Sequence, residues 1–352
     1  VGGGDDRTMV WIQDYHFALV PAMLRALCPS LFIHQFWHIP FPPADLLRLL
    51  PTGVHDGLLR GLLGNDMIEF HTERYAINFM DCVANFVPEA RVNPEQLTVT
   101  YGGRVIHADA FPISIDVRTF EGLAASEESE ARVATLRQRY ASGGRQLGVC
   151  VDRMDYTKGI PERLKALDLL WTEHPEQRER VSFIFVATPS RSDIPAYQAL
   201  EEEVVALALG INDRFSTASW TPIVLINENI DASLLAGVYR AADICLVSSL
   251  QDGMNLVAKE FIACQLDERG VLVLSRFTGA AEEIQGAVLI NPFNLDGFAD
   301  GVRSALEMPA DERMRRMRRM REDLLRSTIF DWMDGILSRA SRLMTEQSRA
   351  AV

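Results

Sequence analysis

The sequence has no uninterrupted apolar run approaching 18 residues, so nothing in it reads as a transmembrane helix. Its first residues, Val-Gly-Gly-Gly-Asp-Asp-Arg, lack the charged-then-apolar layout of a signal peptide. Basic residues are in deficit: 35 Lys+Arg against 48 Asp+Glu give a formal charge of −13. A general nucleic-acid binder needs clustered Lys and Arg, so any phosphorylated ligand must be held by a few placed cations. Cysteine is sparse and odd in number. Cys28, Cys82, Cys150, Cys245 and Cys264 are scattered, four of them in or beside apolar runs, as expected of reduced, mostly buried thiols in a cytoplasmic protein. No CxxC or Cys/His spacing suggests zinc. His34 and His38 lie four apart, but their segment reads as a strand entering a Pro-rich loop, and no metal is expected. A Walker loop, GxGxxG, GxSxG and HExxH are all missing, which removes support from kinase, dehydrogenase, serine hydrolase and zincin chemistries.

What is present is a chain of 352 residues, 48% hydrophobic and 24% charged, large enough for two domains with real cores. Short apolar runs alternate with longer amphipathic ones. Strands are expected over 9–12, 31–36, 67–70, 97–101, 105–108, 146–151, 181–187, 223–226, 243–248, 271–275 and 287–291. Helical patterns lie between most of them. Runs such as Val-Ser-Phe-Ile-Phe-Val-Ala from Val181 are apolar on both parities, which marks strands covered on both faces. The alternation predicts a doubly wound α/β fold. It breaks between about Phe111 and Gly144, at an acidic helix and a Ser-Gly-Gly turn. Domains are therefore expected over 1–143 and 144–325, with a helix over 326–352 returning to the first. The basic run Arg313, Arg315, Arg316, Arg318, Arg319 and Arg321 is flanked by Glu312, Glu322 and Asp323, and reads as a solvated helix before a polyphosphate or RNA site.

In open α/β sheets ligands sit beyond the carboxyl ends of the strands, which selects the loops to read. After the strand 146–151 comes Asp152-Arg153-Met154-Asp155-Tyr156-Thr157-Lys158-Gly159, then Pro161 at the start of a helix. Two cations beside a helix N-terminus suit a phosphate. The other reading is a charged surface loop in which Asp152 or Asp155 pairs Arg153. After 243–248 comes Asp252-Gly253-Met254-Asn255-Leu256-Val257-Ala258-Lys259-Glu260. Here a glycine turn and successive amides could cradle a diphosphate while Asp252 and Glu260 accept from sugar hydroxyls, although either acid could be a cap. Two earlier loops place Asp14 and His38 past strand ends, the latter among three prolines, and Arg191 adds a cation past the strand 181–187. Cations for phosphate with carboxylates for hydroxyls suit a nucleotide-sugar enzyme.

Taken together, VWIQDYHFALVPAMLR, FWHIPFPPADLLRLLP, VDRMDYTKGIPERLKA, ATPSRSDIPAYQ and YRAADICLVSSLQDGMNLVAKEFIACQ resemble the trehalose-6-phosphate synthase family of retaining glycosyltransferases, over about Val10 to Leu325. The resemblance implies a GT-B fold of two Rossmann-like domains around a cleft. It implies transfer of glucose from a nucleotide donor, commonly UDP-glucose, to glucose 6-phosphate without a metal or other cofactor. By the same resemblance Arg153 and Lys158 hold the donor diphosphate. Gly253, Met254 and Asn255 contact the glucosyl unit, Leu256 and Val257 offer amides to phosphate, Glu260 holds the ribose, and Asp252 the glucosyl hydroxyls. His38 sits at the glucosyl 6-hydroxyl, Asp14 meets the acceptor sugar, and Arg191 takes the acceptor phosphate. Family members carry about a hundred further residues ahead of Val10, so the first domain is expected to be incomplete on the acceptor side. Trp37 before the histidine, and Ser114-Ile115-Asp116, depart from the family pattern. Glycerol 3-phosphate as acceptor, a pseudo-glycosyltransferase joining cyclitols through nitrogen, and a non-catalytic regulatory member therefore remain alternatives. No nucleic-acid or membrane partner is expected; a homo-oligomer is.

Overall fold

The computed structural model describes residues 8–350 except Ser192, Glu228 and Asn229. In chain order the elements are β1 (Met9–Gln13), α1 (Val20–Leu27), β2 (Phe32–Phe36), α2 (Ala44–Leu47), α3 (Thr52–Leu62), β3 (Met67–Phe70), α4 (Glu73–Phe86), β4 (Arg91–Asn93), β5 (Thr98–Tyr101) and β6 (Arg104–Ala110). Then come α5 (Val117–Ala124), α6 (Glu127–Tyr140), β7 (Gln146–Arg153), α7 (Ile160–Glu173), β8 (Val181–Thr188), α8 (Pro195–Phe215), β9 (Ile223–Ile226) and α9 (Ala232–Ala241). The chain continues through β10 (Ile244–Val247), α10 (Leu256–Cys264), β11 (Val271–Ser275), α11 (Ala280–Glu283), β12 (Val288–Ile290), α12 (Leu295–Leu306), α13 (Ala310–Leu325) and α14 (Ile329–Ala350). Among the described residues no helix is long and apolar enough to cross a membrane.

These elements form two compact units, one of residues 1–113 with 329–352, the other Ser114–Thr328. In the first, the sheet order is β1-β2-β3-β6-β5-β4. Its first four strands are parallel and its last two antiparallel. One face packs on α3 and α4 through Leu59, Leu62, Phe70, Phe79 and Val83. The other carries Phe32, Phe36 and Met67 and is covered by α14, whose Trp332, Ile336, Ala340 and Leu343 recur at helical spacing. Trp332 Nε1 donates to the Phe111 carbonyl at 3.2 Å, and Arg339 Nε to Asp109 at 3.0 Å, which fixes the helix along the sheet.

The second unit has the order β9-β8-β7-β10-β11-β12, all parallel. Numbered from its own first strand this is 3-2-1-4-5-6, the Rossmann order, with its switch point between β7 and β10. Seven of the eight residues of β8 are buried, as its lack of apolar alternation predicts.

Two differences from the sequence expectation, in the unit boundary and in the number of elements, have clear causes. The units divide at Ser114, not near residue 144, because α5 and α6 pack on the second unit. Arg240 donates to the carbonyl of Ala124 at 2.7 Å, and Arg137 to that of Ala241 at 2.9 Å. The tail holds two helices, α13 and α14, separated by residues 326–328, and only α14 belongs to the first unit. Helix α5 and strand β4 were not expected: β4 has three residues, and α5 depends on Asp116 accepting from the Thr119 amide at 3.2 Å. The basic run is absorbed by the fold. Arg313 donates to carbonyls of Leu306 and Met308 at the end of α12, and Arg321 to those of Ile262 and Ala263 at the end of α10. Arg316 and Arg318 pair with Glu312 and Glu268.

Candidate active site

In the second unit the loops after β7 and β10 meet at the switch point. Gly159 caps α7 in the left-handed region, at φ 62°, and a Cβ there would collide with the carbonyl oxygen of Ser248. This close approach lets Ser248 Oγ donate to the Gly159 carbonyl at 2.8 Å and the Leu250 amide to the Thr157 carbonyl at 2.7 Å. The two loops are thereby tied together. Lys158 Nζ then donates to Asp252 Oδ2 at 2.7 Å, and Asn255 Nδ2 donates to the same oxygen at 3.0 Å.

Asn255 also caps α10, its Oδ1 accepting from the Ala258 amide at 2.9 Å. That bond satisfies the third amide of the helix and leaves those of Leu256 and Val257 for another acceptor. The open amides are thus at α10. The first turn of α7, the other candidate from sequence, is buried, and its Pro161 has no N–H. Gly253 and Met254 are held in place from α11: the Gly279 amide donates to the Asp252 carbonyl at 3.1 Å and the Ala280 amide to the Met254 carbonyl at 3.0 Å. On the following turn of α10, Glu260 Oε2 accepts from the buried Tyr239 hydroxyl at 2.9 Å.

The charges here are unevenly matched. The Arg153 side chain is exposed and makes no hydrogen bond or ion pair among the described residues. Asp152 does not pair with it; it pairs instead with the fully buried Arg163 at 2.7 Å, whose Nε donates to Ser248 Oγ at 2.9 Å. Asp155 accepts from the Thr157 amide at 2.9 Å. Burial pushes the Asp152 and Glu260 carboxyls up from the ordinary carboxylate value. Burial works against the Lys158 charge, but Asp252 and Asp152 outweigh it and hold its pKa above the ordinary lysine value. Arg191 donates to the Tyr197 hydroxyl at 2.7 Å and lies over its ring at 5.5 Å.

In the first unit, Asp14 follows β1 at φ 61° and His38 follows β2. The Asp14 amide donates to the Phe36 carbonyl at 2.7 Å, and the His38 amide donates to Asp14 Oδ1 at 3.2 Å. The His38 imidazole bonds Gln13 Oε1 through Nε2 at 2.8 Å and packs on Phe36, His71 and Trp332. Burial lowers its pKa, opposed by the charge of Asp14. His34, by contrast, is buried inside β2 against Glu69 at 2.6 Å. Among the described residues no group of three or more His, Cys, Asp or Glu is placed to hold a metal ion.

Asp14, His38, Arg153, Lys158 and Arg191 thus lie at strand ends or in the loops that follow them, and Asp252 to Glu260 lead into and along α10. Asp14, Arg191 and Asn255 are also three of the six non-glycine residues with positive φ among those described. Such strain persists where the surrounding structure over-determines it, commonly at functional sites. Arg163, Tyr197, Tyr239 and Gln13 support these residues through contacts that no motif or spacing in the sequence marks.

The sequence profile of glycosyltransferase family 20 matches residues 4–342. The 56 kDa subunit of the UDP-forming alpha,alpha-trehalose-phosphate synthase of Saccharomyces cerevisiae is 40% identical over 306 residues, 86% of this chain and 60% of that protein. The chain spans between 44% and 71% of the length of the curated relatives it matches. A Burkholderia xenovorans UDP-forming alpha,alpha-trehalose-phosphate synthase in complex with glucose-6-phosphate superposes with a TM-score of 0.89 at 36% identity, covering 96% of this chain and 75% of that one. An E. coli structure bound with UDP-2-fluoro glucose gives 0.89 at 32%, covering 96% and 74%. The fold of these neighbours is GT-B, as expected from the sequence.

Proposed function

The chain belongs to glycosyltransferase family 20, and on that premise we propose that it transfers glucose from a nucleotide-glucose donor, UDP-glucose, to glucose 6-phosphate with retention, giving trehalose 6-phosphate. The observation that carries this reading is the arrangement at the β7–β10 switch point: exposed Arg153, Lys158 paired to Asp252, and two open amides at the start of α10. Arg153, Lys158 and the amides of Leu256 and Val257 take the diphosphate. Glu260 accepts from the ribose hydroxyls. Asp252, with Gly253, Met254 and Asn255, takes the glucosyl unit, and His38 its 6-hydroxyl. Asp14 meets the acceptor sugar and Arg191 its phosphate.

The chemistry follows from where charge develops. As the bond from the glucosyl C1 to the leaving oxygen breaks, its electron pair stays on the β-phosphate. The cations and amides there therefore stabilise the transition state more than the ground state. The anomeric oxygen of glucose 6-phosphate forms the new bond to C1 on the same face, and its proton passes to the departing phosphate. A cytoplasmic location belongs to the same proposal and is supported by the five free thiols.

The test is product analysis by mass spectrometry with UDP-, GDP- and ADP-glucose against glucose 6-phosphate and glycerol 3-phosphate. A disaccharide phosphate from UDP-glucose and glucose 6-phosphate is expected. Product from glycerol 3-phosphate alone, or from no pair, overturns the assignment.

A further inference from the structure

The Pro-rich loop after β2 fixes the backbone of His38, but three separate elements set its ring. Phe36 packs on it with a centroid distance of 4.6 Å, His71 from the end of β3 at 5.3 Å, and Trp332 of α14 at 6.4 Å. These contacts limit the tilt of the imidazole and leave its two nitrogens chemically undetermined. Among the described residues the side chain that distinguishes them is Gln13, whose Oε1 lies 2.8 Å from Nε2. Gln13 is the last residue of β1, registered directly beside Phe36 on the neighbouring strand, so it reaches over the end of β2 to the ring. Its neighbour Asp14 anchors the His38 backbone through the amide, so the two consecutive residues at the end of β1 hold the two halves of one histidine.

We propose that Gln13 is a positioning residue for His38: its amide oxygen accepts from Nε2–H and so keeps the proton on Nε2 and the lone pair on Nδ1. An amide oxygen can only accept, and a neutral imidazole has one donor and one acceptor nitrogen, so this contact selects a single tautomer. The groups that face the ring and carry or could carry charge are Asp14 and His71; α14 presents the neutral Trp332. Burial favours the neutral imidazole in which a tautomer choice exists at all. In terms of the transfer proposed above, on which this role rests, a fixed tautomer means that the nitrogen left for a substrate hydroxyl acts only as an acceptor. A sugar hydroxyl bonded there must donate, which sets the direction of its own hydrogen bonds.

Long-range proton–nitrogen NMR of protein labelled with 15N-histidine reads the tautomer directly, with the His38 signals identified by their loss in His38→Gln. The wild type is expected to show one His38 species protonated on Nε2. Gln13→Leu is expected to give a mixture of tautomers. Gln13→Glu is expected to keep the Nε2–H form and to move the titration midpoint of His38 up by about one pH unit, since a carboxylate then faces the ring. The acid limb of the transfer rate should move with it. A wild-type ring protonated on Nδ1 overturns the proposal, as does a tautomer and midpoint indifferent to both substitutions. The NMR readout needs no turnover, so a protein that shows these shifts yet makes no product refutes the transfer assignment and leaves the positioning role standing.

Discussion

Lys158 Nζ and Asp252 Oδ2 stand 2.7 Å apart, joining the loops that follow β7 and β10. The cation assigned to the leaving diphosphate and the carboxylate assigned to the departing sugar are therefore one electrostatic unit, and neither can be altered alone. Lys158→Ala and Asp252→Ala should each lower kcat/KM about a hundredfold or more. The double variant should lose much less than the product of the two, a coupling of about 1–3 kcal/mol. Strictly multiplicative losses in a double-mutant cycle would show that the pair does not act together.

Two arginines near this loop should behave oppositely. Arg153 is exposed, so Arg153→Ala should leave unfolding within about 0.5 kcal/mol of the wild type. The same change should weaken UDP binding about tenfold or more, the loss of a charge-assisted contact. Arg163 is buried against Asp152. Arg163→Met leaves that carboxylate unpaired and should destabilise the protein by about 3–5 kcal/mol, read by urea unfolding. Adding Asp152→Asn should restore part of it. Equal stability of the two single arginine variants would contradict the assignment.

Tyr197 gives a test of the acceptor role proposed for Arg191. Tyr197→Phe keeps the ring under Arg191 and removes the oxygen that its guanidinium bonds at 2.7 Å. The KM for glucose 6-phosphate should rise about three- to tenfold, the worth of one such bond, while the KM for UDP-glucose stays the same. A change in the donor KM instead would place Arg191 elsewhere in the reaction.

The buried Glu69 gives a pH dependence with a definite sign. Burial raises its pKa above the ordinary 4.5, against the opposing effect of the His34 bond. A group whose folded pKa is raised contributes stability that is complete below its unfolded pKa and is lost as pH rises through the folded value. Glu69→Gln keeps the bond to His34 and does not titrate. Its Tm relative to the wild type should therefore be higher at pH 8 than at pH 4.5. A difference that is the same at both pH values would mean that Glu69 does not titrate differently on folding.

The loops assigned to the site were legible because strand ends are marked twice, by apolar runs on both parities and by the polar residues that follow them. Arg153 ends β7, and Lys158 and Asp252 lie in the loops that follow β7 and β10. Arg163 was not legible: an arginine in an amphipathic helix ordinarily faces water, and only the approach of β10 to β7 turns it inward to Asp152 and Ser248. The same is true of Gln13, whose partner is set by parallel register and not by spacing. The unit boundary was missed for a related reason. The acidic surface of α6 reads as a linker, but its Arg137 and Ser129 face α9 and the start of β10, and that face decides which core the helix joins.

The bond from Trp332 to the Phe111 carbonyl closes a separation of 221 residues. A ribosome makes the sheet of the first unit well before the helix that covers it, with the whole of the Ser114–Thr328 unit emerging in between. Phe32, Phe36 and Met67 must therefore wait, uncovered, through the synthesis of about two hundred residues at ~5–20 residues per second. For that interval of ten seconds or more by the same rate, the nascent chain shows the apolar face on which His38 is later held, and it is then that a chaperone has something to bind.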